Sequence, residues 1–279
     1  MKKILEALGF EITREHIDEL RVSVPFSKPD ISHPADIVEE IIRIDGLDNI
    51  EIPATITISP AVEDDVAKEK LREKLSNYLT GAGYHEILTN SITNSAYYPE
   101  EMQDDMVKML NNLSANLNVL RPSMLETALE AIAYNINRKY HNLLLYEFGK
   151  TYSTTEKYAY TEKEKFCVYI SGALNNNNWK YKAVAADFFY AKGIADMLLE
   201  LCGAKKIMYE EAIDSAAGKE HGIKQGRHTL GRIVQVSGSY LNKFDIKQPV
   251  YFIELEFSNL LTAASATKYT LSLHDALPI

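Results

Sequence analysis

Apolar residues recur along this chain with two periods, and the changes of period mark out its elements. Ile4, Leu5, Leu8 and Phe10 predict a short amphipathic helix stopped at Gly9. Leu20 to Val24 alternates like a strand, and the prolines from Pro25 to Pro29 break it. A second helix is predicted from Ser32 or Pro34 to Asp45, with Gly46 as its stop. Its stripe is Ile37, Ile41 and Ile44, flanked by Val38 and Ile42. Ile52 to Asp65, with two prolines and three carboxylates, has the composition of a linker. Val66 to Leu79 follows as a helix with leucine at every fourth position, ended by Gly81-Ala82-Gly83. Further on, the pattern predicts helices over Ser123–Lys139 and Asp187–Leu201. Strands are predicted over Tyr84–Ile92, Leu143–Phe148, Phe166–Ile170, Ile207–Tyr209, Gly231–Ser237 and Val250–Phe257. Asn175 to Asn178 reads as a polar loop. Most connections are too short for parallel crossovers throughout, so the class expected is α+β with an antiparallel sheet.

Charge narrows the partners. The 279 residues carry a net charge of −9, and affinity for nucleic acid comes largely from neutralised phosphates, so any RNA contact must be local or made by a partner. Cys167 and Cys202 are too few for a disulfide framework and read as ordinary buried thiols in a reducing cytoplasm. No apolar run reaches the roughly 18 residues of a membrane span. The first residues lack the apolar core of a signal peptide, so a cytoplasmic protein is expected. Several chemistries are missing: no phosphate-binding G-x-x-x-x-G-K loop, no H-E-x-x-H and no G-x-S-x-G. His33 beside Asp36 is half an acid–base pair at most, in a helix first turn where polar residues are common.

One constellation stands out: Asp30, Asp36, Glu39 and Glu40. The last three fall at i, i+3 and i+4 on the predicted helix and share a face, with Asp30 just ahead of it. Oxygen-only ligands suit magnesium. Acidic residues in a helix first turn are also favourable against the macrodipole, by roughly 0.3–1 kcal/mol each, without any metal. Spacing leaves both readings open.

Leu8-Gly9-Phe10-Glu11, Val22-Ser23-Val24-Pro25, Asp30-Ile31, Asp36-Ile37-Val38-Glu39-Glu40-Ile41 and Arg43-Ile44-Asp45-Gly46 together resemble the small helix-turn-helix-like domain of bacterial phenylalanyl-tRNA synthetase β subunits. The resemblance continues through Val119-Leu120-Arg121-Pro122-Ser123, Leu145-Tyr146-Glu147-Phe148-Gly149, Asp187-Phe188-Phe189 with Lys192-Gly193, and Val250-Tyr251-Phe252-Ile253-Glu254-Leu255. It implies a winged-helix-like domain over 1–53, a linker over 54–65, and a non-catalytic class II synthetase-like antiparallel sheet domain flanked by helices over 66–261. It further implies that Asp30, Asp36, Glu39 and Glu40 hold Mg2+ shared with a catalytic α subunit in an α2β2 assembly. ATP and phenylalanine would then sit on the α subunit and tRNA(Phe) on the whole complex.

The sequence agrees in lacking the G-x-G-x-x-R segment with which class II sites hold ATP. Arg121, just before Pro122, reads as an ion-pair or interface residue, not a phosphate ligand. The family pattern stops near Leu260, so residues 262–279 are expected to lie outside the natural fold. Rival readings are a standalone winged-helix-like nucleic-acid-binding regulator and an independent class II ligase. The first is opposed by carboxylates on the helix that would meet phosphate, the second by the missing arginine motif.

Overall fold

A computed structural model describes residues 1–52, 55, 66–112, 114–156, 159–175 and 177–264. The chain divides into two compact units, Met1–Val62 and Glu63–Ile279. The segment expected as a linker lies, Thr55 apart, outside the described residues.

In the first unit, helix α1 (Lys2–Ala7) leads into an antiparallel hairpin of β1 (Glu11–Glu15) and β2 (Leu20–Ser23), then helix α2 (Pro34–Asp45). Gly9, at φ +88°, supplies the left-handed turn between α1 and β1, a conformation that glycine adopts without steric cost. Gly46, at φ +95°, ends α2 where expected. The hairpin separates the two helices, so the described residues form helix, hairpin, helix and show no helix-turn-helix. The reason is local: β1 carries one apolar residue, Ile12, and pairs through its backbone with the better-patterned β2. Leu5 and Phe10 are the only buried hydrophobic residues among those described here.

The second unit is a mixed α/β domain. After helix α3 (Val66–Gly81) come the short strands β3 (His85–Glu86), β4 (Ile92–Thr93) and β5 (Val119–Leu120), then helix α4 (Leu125–Ile136). A long hairpin of β6 (Leu143–Glu156) and β7 (Ala159–Ser171) precedes helix α5 (Phe188–Leu201). Strands β8 (Ile207–Tyr209), β9 (Ile213–Ser215), β10 (Gly218–Gln225) and β11 (His228–Val236) follow, then helix α6 (Gly238–Asn242) and strand β12 (Val250–Glu256). Residues 257–264 are helical. The main sheet has the order β3-β6-β7-β12-β11-β10-β8, with β9 also paired to β10. Every neighbour is antiparallel except β3, which runs parallel to β6.

Helices cover both faces. Leu71, Leu75 and Leu79 of α3 pack with Ile194 and Leu198 of α5 against Phe166, Val168 and Ile253. On the opposite face Leu129 and Ile132 of α4 and Tyr240 and Leu241 of α6 meet Tyr169, Val234 and Phe252. Burying a leucine such as Leu198 stabilises by about 1.5–3 kcal/mol, so these two layers hold the sheet.

The strand expected over Tyr84–Ile92 is interrupted, because the Thr89 amide donates to Glu147 Oε1 (3.0 Å) instead of to a neighbouring strand. The expected helix over Ser123–Lys139 is trimmed at both ends; Ser123 Oγ accepts the Leu125 amide (3.1 Å) and Lys139 takes φ +69°. Residues 262–264, expected outside the fold, continue the helix from 257, and Ala264 packs against the core. The rest of that tail lies outside the described residues.

Candidate functional site

The four carboxylates singled out by spacing take different roles. Pro34 occupies the start of α2, where its missing N–H costs nothing. Asp36 turns back to cap the helix: its Oδ2 accepts the amides of Ser32 (2.8 Å) and His33 (2.7 Å). The His33 bond, then the Ser32 bond, hold the Asp36 carboxyl below its ordinary pKa. Glu40 accepts a bidentate pair from Arg43 (3.1 Å each) and is ion-paired with Lys28. Lys28, then Arg43, depress its pKa as well. The Lys28 ammonium also stands 5.9 Å from the Phe10 ring centroid, which ties this node to the small core.

Asp30 and Glu39 are exposed, and among the described residues neither side chain has a hydrogen-bond or ion-pair partner. No group of three or more His, Cys, Asp or Glu among the described residues comes together to hold a metal. A closed magnesium site therefore does not fit this chain alone. One Asp36 oxygen is spent on amides, and both Glu40 oxygens are spent on cations.

In the second unit charge is concentrated on the α4 side of the sheet. Arg232 of β11, Glu254 of β12, Cys167 of β7 and Glu147 of β6 form one row across four strands in register. Arg121, only 2% exposed, closes the row by donating to Glu147 Oε1 (3.0 Å), Thr89 Oγ1 (2.6 Å) and Lys150 O (2.9 Å). A Cβ at Gly149 would collide with this guanidinium and with the Met124 thioether. The Glu147-Phe148-Gly149 motif thus supplies the carboxylate that neutralises Arg121 and the space that admits it. Arg232 pairs with Glu254 (2.7 Å) and Glu220 (2.9 Å), and Lys165 pairs with Glu256. These three cations, Arg121, Arg232 and Lys165, are all neutralised by the protein's own carboxylates. A cavity of ≈ 280 Å³ lies over the row, lined in part by Ser153, Lys163, Lys165 and Arg232.

A neighbouring cavity of ≈ 210 Å³ is lined in part by Glu126, Tyr240 and Phe252. Glu126 is buried, and burial raises its pKa although Tyr240 donates a 2.5 Å hydrogen bond to its Oε1. Its Oε2 has no hydrogen-bond partner among the described residues. Nothing in the sequence marks Glu126 as buried, since it lies in a helix first turn where acid is ordinarily solvated. The two cysteines are buried and free, and burial pushes the Cys202 thiol up to about 12.

This sheet, antiparallel but for one edge strand and covered by helices on both faces, has the fold of its structural neighbours, which are class II tRNA synthetase-like domains. Two solved structures share it: a pyrrolysyl-tRNA synthetase from Desulfitobacterium hafniense has a TM-score of 0.55 at 17% identity over 71% of this chain and 67% of its own. An ATP phosphoribosyltransferase regulatory subunit/histidyl-tRNA synthetase from Bacillus halodurans has 0.56 at 11% identity, covering 76% and 84%. At such identities the likeness is one of fold alone.

Sequence carries the assignment further. The profile of the phenylalanyl-tRNA synthetase β chain CLM domain matches residues 52–257, and that of the tRNA synthetase B5 domain matches residues 1–47. The chain belongs to the phenylalanyl-tRNA synthetase β-chain family. It is 30% identical to the phenylalanine–tRNA ligase β subunit of Porphyromonas gingivalis over 99% of this chain and 35% of that protein. It is 31% identical to the Geobacillus kaustophilus β subunit over 94% and 33%. The chain thus spans about a third of the length of these relatives. The first match, at 99% of the chain, runs into residues 262–279, which the sequence pattern had placed outside the family.

Proposed function

We propose that this chain is the scaffolding part of a phenylalanine–tRNA ligase β subunit. It supports ATP-dependent attachment of phenylalanine to tRNA(Phe) by a catalytic α subunit, within an α2β2 assembly of the cytoplasm. One observation carries the reading: on the α4 face of the sheet Arg121, Arg232 and Lys165 are each held by carboxylates of the same chain, which leaves none of the three free to take the phosphates of ATP. ATP and phenylalanine then bind the α subunit. The small unit acts as a tRNA synthetase B5-type module built as helix, hairpin and helix.

The magnesium role implied by the resemblance divides among the four carboxylates. Asp36 caps the start of α2 and Glu40 is taken by Lys28 and Arg43, whereas Asp30 and Glu39 are exposed with oxygens to spare, so a cation shared with the α subunit would meet those two. Phenylalanine-dependent pyrophosphate exchange tests both parts. The pure chain shows none, and the full β subunit reconstituted with α shows robust exchange. Glu39→Gln in that assembly shifts the magnesium midpoint upward while leaving thermal stability unchanged. Exchange by the pure chain would refute the scaffold, and an unmoved magnesium midpoint would remove Glu39 from the site.

A further inference from the structure

The segment between β7 and α5 looks, by composition, like an ordinary polar loop, yet it is held by a dense set of hydrogen bonds. Ala173 bridges Ala185 in antiparallel fashion, and the Leu174 amide donates to Val184 O (2.8 Å). Asn175 Oδ1 accepts the Val184 amide (2.8 Å), while its Nδ2 donates to Lys182 O (3.3 Å). Asn178 Oδ1 accepts the amides of Lys180 (2.9 Å) and Tyr181 (2.8 Å), and the Asn178 amide donates to Tyr181 O (2.9 Å). The asparagines therefore close a turn of the side-chain-to-backbone type. At its tip Trp179 is 95% exposed and Tyr181 57%. The Lys180 ammonium stands 5.1 Å from the Tyr181 ring centroid.

Exposure at this level excludes a core role for Trp179 within the described residues, and a built turn presents its indole where a partner can reach it. Two classes of partner compete. Protein interfaces are enriched in tryptophan and tyrosine but depleted in lysine. Here Lys180 and Lys182 alternate with the two rings, and among the described residues neither is ion-paired. From Gly172 to Ala186 there is no carboxylate at all, in a chain whose net charge is −9. Rings interleaved with unpaired cations are what single-stranded nucleic acid requires: faces on which bases stack and charges that meet phosphates. Two lysines suit a short strand, in keeping with a contact that is local on an acidic protein.

We propose that Trp179 and Tyr181 stack on unpaired bases of an RNA strand whose phosphates meet Lys180 and Lys182. The tRNA-ligase reading enters only in naming that strand as an unpaired stretch of tRNA.

Trp179 is the only tryptophan in the sequence, so its fluorescence reports this turn alone. The full chain is titrated with a single-stranded oligouridylate, with duplex RNA, and with purified α subunit. Expected is saturable quenching by the single strand, weaker quenching by the duplex, and a log–log salt slope near −1.4, about −0.7 for each of two phosphates. With labelled oligouridylate followed by anisotropy, Trp179→Ala weakens binding roughly 5- to 150-fold. Lys180→Gln with Lys182→Gln flattens the salt slope, and circular dichroism confirms that these surface variants stay folded. Absent quenching, or RNA affinity indifferent to Trp179→Ala, overturns the proposal. So does an emission change produced by α subunit alone, which would make the turn a protein contact. Pyrophosphate exchange by the reconstituted assembly judges the ligase reading separately, so either idea can fail without the other.

Discussion

Helices α2 and α5 are written with comparable apolar stripes and meet opposite fates. Helix α5 buries Ala191, Ile194, Ala195, Leu198 and Leu199 against the sheet. Helix α2 buries no residue, and Val38 and Ile44 stand more than half exposed. The difference is what faces each stripe: α5 lies on a sheet face lined by Phe166, Val168 and Ile253, whereas α2 has a six-residue helix beside it. A helical period specifies a face; burial also needs an opposing surface. The two units also use charge differently. Around α2, carboxylates cap and pair near solvent, while across β6, β7, β12 and β11 they neutralise cations inside the protein.

The sharpest way to break this contrast is to remove a buried cation. Arg121→Met strands Glu147 in the interior, and loss of one partner of a buried pair costs about 3–5 kcal/mol. In a domain of this size that lowers Tm by roughly 6–20 °C, at 2–4 °C per kcal/mol. Adding Glu147→Leu should recover much of the loss, and calorimetry of both variants checks it.

Matched truncations of the two stripes come next. Leu198→Ala empties a fully buried position and is expected to cost about 2–5 kcal/mol. Ile44→Ala, at a half-exposed position, should stay within about 0.5 kcal/mol. Urea melts of the pair measure the contrast, and equal losses would erase it.

The smallest effect concerns Glu126. Its folded pKa is raised by burial, so the stability it contributes is complete below its unfolded value of 4.5 and fades as pH rises through the folded value. Glu126→Gln keeps an acceptor for Tyr240 and cannot ionise. It should melt close to the parent at pH 4.5 and above it at pH 8, a gap that widens with pH. A gap of the opposite sign would mean that Glu126 is stabilised as an anion.

Much of the second unit was legible because its elements are buried. The expected α3, α5 and β12 correspond closely to what forms, and the strand core Phe166–Ile170 is the apolar centre of β7. Polar extensions were not legible. β6 runs on from Phe148 to Glu156, and β10 carries Gly-Lys-Glu-His before its buried Ile223, so neither shows the alternation of a half-buried strand. At the candidate site the spacing of Asp36, Glu39 and Glu40 was readable, but their occupation was not. Lys28 reaches Glu40 across a turn of twelve residues, a contact that no periodicity encodes. Arg43, at i+3 from Glu40, was within reach of the helical rules.

The place of β12 in the sheet has a consequence for synthesis on the ribosome. Although it is the last of the sheet's described strands to be made, it lies at the centre, between β7 and β11. Until Val250–Glu256 leaves the exit tunnel, the β6–β7 and β10–β11 hairpins present two open, hydrogen-bond-hungry edges with nothing between them. Assembly of this sheet is therefore delayed until β12 has been translated. A nascent chain stalled before Val250 carries two half-sheets that are templates for aggregation, and chaperone demand should peak there and fall once the closing strand emerges.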